Sequence, residues 1–191
     1  MVQWLMQMGM HRWRNDRPNA APALALLDRG IALAGAPDDP RDAPQAGAME
    51  MLARVWRHRS IVLREAGAAP AALDAAERAF EIYEALARPE SPEGWMHHQA
   101  AIAEMELART LAPLRPLETP QRVVASLARH DAVRRADPRN FPARRSEAVL
   151  AVQGAQSLLA ASTHPALTPP QRRAMLGEGE ARAGRMARLV S

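Results

Sequence analysis

From Gly67 to Glu90 the chain reads GAAPAALDAAERAFEIYEALARPE, with no Gly or Pro between Ala71 and Ile82. Alanine is the strongest helix former, so the stretch reads as one long helix. It also buries little apolar area, so this helix cannot anchor a core by bulk. Small residues at contact positions are useful where another helix comes very close. The stretch therefore predicts helices stacked at short range.

The rest of the chain can be read for the same signature. Aromatics are only 4% of residues, which leaves packing to Ala, Leu, Val and Met. Apolar residues recur three and four apart, predicting helices near 2–13, 21–35, 45–66, 70–87, 92–112, 120–136, 141–161 and 169–189. Ser91-Pro92, Thr119-Pro120 and Thr168-Pro169 each put a hydroxyl at an N-cap and Pro at the first helical position. Gln171, three residues after Thr168, completes a capping box. Connections are short, apart from PLRPLETP and the polar, Pro-rich APDDPRDAPQAG at 36–47. No segment alternates as a strand does. The economical reading is all-α, with eight helices in four hairpins: an N-terminal pair and linker over 1–46, then a helical repeat domain over 47–191.

Composition narrows the chemistry. At 191 residues the chain suits a single domain with a real core. Its 16 prolines suggest disorder, but 48% hydrophobic residues argue against it. Cysteine is absent, which excludes disulfides and thiolate sites. All 25 basic residues counted as Lys or Arg are Arg, so no P-loop lysine or Schiff-base lysine is available. The net charge of +4 and high pI follow largely from arginine's own pKa. No apolar run approaches the ~20 residues of a membrane helix. MVQWLMQMGM lacks the early basic region of a signal peptide, so a cytoplasmic location without membrane contact is expected.

Three first-helix runs align: WRHRSIVL (56–63), MHHQAAIA (96–103) and RRSEAVLA (144–151), spaced by 40 and 48 residues. Each has polar or basic residues at its second and third places and a small residue at its fifth, namely Ser60, Ala100 and Ala148. In the helices that follow two of them, Ala72, Ala76 and Ala79 correspond to Ser126, His130 and Val133.

On these residues the chain resembles the tetratricopeptide repeat family. Gly67 at the turn, Ala72 and Ala79 in the second helix, and Ser126 with the closing Asp137-Pro138 match that family's marks. The likeness covers about 47–161. The spacing exceeds the family period of about 34 residues, and Ala76 stands where an aromatic is usual, so the unit is tetratricopeptide-like. HDAVRRADPRNFPARRSEAVLAVQGAQSLLAAS is similar to degenerate repeats that follow the kinase domain in some bacterial Ser/Thr kinases. The resemblance implies an α-solenoid, a right-handed superhelix of about four hairpins, whose first helices line a concave groove.

In such a groove Arg57, His97 and Arg145 would fall in line, with His58 and His98 beside them. Arg54 and Arg64 lie on roughly the same face as Arg57 and His58. Together they suggest a basic strip suited to carboxylate or phosphate; ordinary solvated charge is the plainer account of the same residues. Neighbours on a helix point about 100° apart, so His97 and His98 do not form a metal pair. Glu104 and Glu106 also fall on different faces, and His130-Asp131 lies on a second helix. No catalytic, cofactor or metal residue is therefore expected. Met1, Met6, Met8 and Met10, with Trp4 and Trp13, read as a core or capping face, though soft thioethers also suit a partner surface.

The sequence points to a non-catalytic scaffold that binds a protein or acidic peptide, within a bacterial signalling protein by resemblance. A nucleic-acid binder and a metal-dependent enzyme are the alternatives. The 21 acidic residues and few aromatics speak against nucleic acid.

Overall fold

The structure, a computed structural model, describes residues 1–35, 46–87, 94–139 and 141–190. The expected helix start at Ser91-Pro92 and most of the 36–47 link lie outside them. The described residues form eight α-helices: α1 (Val2–Asn15), α2 (Ala21–Ala34), α3 (Ala46–Glu65), α4 (Ala69–Leu86), α5 (Gly94–Leu111), α6 (Thr119–Ala136), α7 (Phe141–Ser162) and α8 (Pro169–Val190). No strand occurs among the described residues. The chain divides into two compact units, Met1–Ser91 and Pro92–Ser191. The N-terminal pair read as separate from the repeats packs onto α3 inside the first unit.

Local chemistry explains two helix boundaries. Gly67, at φ +80, ends α3: the Ala68 N–H reaches back to the Leu63 carbonyl at 2.9 Å, the long bond of a Schellman turn. At the start of α8 the Gln171 side chain accepts from the Thr168 backbone N–H (2.8 Å) and hydroxyl (2.9 Å), the returning half of a capping box. Thr119 departs from expectation. A 3-10 turn over Pro116–Glu118 runs straight into α6, so Glu118 takes the N-cap place without a side-chain cap bond. Thr119 becomes the first helical residue, with its side chain buried.

In the first unit α1 and α2 form one hairpin and α3 and α4 another, and both α1 and α2 contact α3. Met6, Trp13, Ala23, Leu27, Val55 and Val62 make its main core. The alanines of the opening stretch do what their size suggests. Ala72, Ala75, Ala76 and Ala79 are all buried along α4, with Tyr83 filling the far end of the same stripe. At Gly9 the backbones of α1 and α2 come close, since an added Cβ would lie 3.2 Å from the Ala23 carbonyl oxygen and from Leu27 Cγ.

In the second unit α5 is the centre. It is buried almost all round, as a helix flanked on several sides must be. It contacts both α6 and α7, α6 also packs on α7, and α7 pairs with α8. Met105, Ala108, Val123, Leu150 and Leu158 form the core, while Ala112, Ala161, Leu167 and Met175 close one end.

The glycines separate packing from propensity. Gly9→Ala should lower stability by about 1 kcal/mol or more, because the overpacking meets backbone and outweighs the gain in helix propensity. Gly177, within α8, has nothing within 4 Å of an added Cβ. There Gly177→Ala should raise stability by roughly 0.5–1 kcal/mol. Urea denaturation followed by circular dichroism reads both signs.

Candidate partner-binding site

Where α1 lies on α3, a cleft of about 510 Å³ is lined by Met6, Gln7, Met8, Met10, His11, Arg14 and His58. Met6, Met10 and Arg14 stand at i, i+4 and i+8 and so share the α1 face turned to it. The thioethers make a soft, apolar floor. No carboxylate is among the lining residues, and Arg14 and the two imidazoles supply the polar rim. The His58 Nδ1 atom is buried and has no hydrogen-bond partner.

Charge behind the cleft is positive. Burial, and after it the guanidinium groups of Arg57, Arg54 and Arg14, lower the His58 pKa from 6.5 to about 3. A neutral imidazole is thus held in a field that resists a further cation. Arg54 is itself ion-paired to Glu50 one turn back. The Tyr83 hydroxyl on α4 is raised by burial, against the pull of the Arg57 and Arg54 guanidinium groups.

The other expected residues are placed as follows. Arg57 is half-buried on α3. Arg64 is half-buried with Glu65 at 3.8 Å. His97 is half-buried on α5, and Arg145 is exposed on α7. His98 does not fit a groove-lining role: it is only 2% exposed. Its ring lies 5.7 Å from that of His130, and Ser146 Oγ is 3.4 Å from its Nε2. His98 is interior because α6 and α7 both cover that side of α5. His130 in turn meets the Ala143 carbonyl at 2.8 Å through Nε2. Ser146 and His98, aligned at the third place of their runs, thus meet across α5 and α7.

The small fifth places diverge, since Ser60 and Ala100 are buried but Ala148 is exposed. Ala72, Ala76 and Ala79 and their aligned partners Ser126, His130 and Val133 are all buried. Glu104, also buried, faces Arg122 at 3.5 Å and Arg129 at 3.7 Å from α6, an ion-paired strut between helices. Among the described residues no group of three or more His, Cys, Asp or Glu could hold a metal ion, and no helix is long and apolar enough to cross a membrane.

Sequence reasoning noticed the α1 methionines but not Arg14 or His11 as their companions. Only the fold brings α1 onto α3; no spacing within either helix encodes that. Compared with known proteins, the chain matches no family model, no curated protein and no solved structure.

The His58 environment gives a pH test. Between about pH 6.5 and 3 the unfolded chain binds a proton at His58 that the folded chain refuses, so its contribution is present above 6.5 and lost as pH falls. His58→Gln should flatten the stability loss between pH 6.5 and 5, by at most about 1.4 kcal/mol per pH unit. Denaturant melts of both proteins across that range measure the difference in slope.

Proposed function

We propose that this chain is a non-catalytic, tetratricopeptide-like interaction module that binds an acidic, apolar-flanked segment of a partner protein in the α1–α3 cleft. The observation that carries the reading is the lining itself: a methionine floor, a polar rim with the Arg14 guanidinium, and no carboxylate. An apolar side chain of the partner would bury against Met6, Met8 and Met10, and a neighbouring carboxylate would face Arg14 and the Arg57 side of α3. Binding that carboxylate would offset the positive field at His58 and supply a group for its buried ring nitrogen.

The packing within each unit supports the family reading. In both, the first helix of one hairpin touches the first helix of the next (α1 with α3, α5 with α7), and the second helix packs on it as well. That is the arrangement stacked helical hairpins require, and stacking creates a surface for extended partners. A role within a larger bacterial signalling protein follows from the sequence resemblance and belongs to the same proposal.

A fluorescent peptide alternating Glu with Leu serves as the probe. Binding should be saturable, with an association rate that falls steeply with salt. Arg14→Glu combined with Arg57→Gln should weaken it by about tenfold or more, because both cationic partners of the carboxylate are lost. Melting should change little for the exposed Arg14 site. Equal affinity of wild type and variant would overturn the reading.

A further inference from the structure

A second feature lies in the other unit, at the corner joining α6 to α7. Arg134, Arg135, Pro138, Arg144 and Glu147 line a cleft of about 430 Å³ there. Arg134 is tied to Glu147, Nε to Oε1 at 3.8 Å. The Asp137 carboxylate accepts the Arg139 backbone N–H at 3.1 Å. Among the described residues, the guanidinium groups of Arg135, Arg139, Arg144 and Arg145 have no ion-pair partner, although 21 acidic residues are present in the chain.

The positions make this more than scattered surface charge. Arg134 and Arg135 occupy the last turn of α6, where the helix dipole welcomes cations. Arg144 and Arg145 sit at the beginning of α7, the end of a helix that disfavours them, and no acid occupies its first turn. Positive charge is thus gathered from two helices into one concavity, on the α7 side against the preference of the helix dipole. An anion in the cleft would relieve that repulsion and meet the α7 terminus with the sign it favours.

We infer that the α6–α7 corner is an anion-binding site for a phosphate monoester, held by Arg135 and Arg144 with Arg134 at the wall. A carboxylate matches a single guanidinium fork, whereas a phosphate monoester offers three oxygens and close to two charges, enough to engage forks from both helices. Free phosphate esters and phosphorylated side chains share this chemistry. The site is separate from the α1–α3 cleft, and neither depends on the other.

The full chain, isotope-labelled, is titrated at constant ionic strength with inorganic phosphate, with a phosphoserine peptide, with the same peptide unphosphorylated, and with sodium chloride. Saturable shifts confined to the α6–α7 corner are expected for the two phosphate probes alone. Tighter binding of the phosphopeptide would mark a phosphorylated side chain as the source; equal or weaker binding would mark a free phosphate ester. Arg135→Ser with Arg144→Ser should cost about tenfold or more in affinity. Arg135→Lys with Arg144→Lys keeps the charge but loses the forks, and it should also bind more weakly than wild type. Shifts that follow chloride as they follow phosphate would overturn the inference, as would undiminished binding by the serine variant. The Glu–Leu peptide should leave these resonances unmoved.

Discussion

Small side chains at helix contacts set how near the helices can come, and the rest of the structure depends on that spacing. The buried stripe of α4 is alanine from Ala72 to Ala79, and α1 meets α2 at Gly9. In the second unit a Cβ on Gly154 would stand 3.0 Å from Val123 Cγ1, so α7 is seated directly on α6. Alanine and glycine contribute little hydrophobic area each. The compensation is close approach, which brings many weakly attractive atom pairs to optimal separation. A few large residues, Tyr83, Leu27, Met105 and Leu158 among them, then fill what remains.

Close packing also fixes the polar chemistry. When α6 and α7 close over α5, some of its polar groups meet partners from α6. Glu104 faces two arginines of α6, and the Ser126 hydroxyl donates to the Ala101 carbonyl at 2.7 Å. Removing one member of such a set leaves a buried group unpaired, which costs more than the bond itself contributes. In the first unit the same closeness places His58 under the methionines of α1 and beside Arg54 and Arg57. There the polar ring is incompletely satisfied, and it opens on a cleft.

How much was legible followed from how local the cause was. Helix extent rests on apolar periodicity and on terminal residues, both written in sequence, and among the described residues the eight helices lie close to their expected bounds. Gly67 and the Thr168–Gln171 pair were readable for the same reason. Thr119 was misread because the preceding 3-10 turn, not the hydroxyl, shapes the entry into α6. His98 was misread because α5 is covered on most sides: His98, Gln99, Glu104 and Glu106 are polar yet buried, so polarity no longer reports exposure. Ala148 broke the repeat register because the buried stripe of α7 runs instead through Ala143, Leu150, Gly154 and Leu158. The cleft needed two helices far apart in sequence to meet, and no motif marks that encounter.

Methionine methyl resonances test the central claim, that the α1–α3 cleft is the partner surface. The chain has ten methionines, three of them lining the cleft, while Met105 and Met175 lie buried in the other unit. With methyl-labelled protein and the acidic Glu–Leu peptide, the Met6, Met8 and Met10 signals should shift along one saturable curve while Met105 and Met175 stay still. Saturable binding that leaves the α1 methyls unmoved would contradict the account.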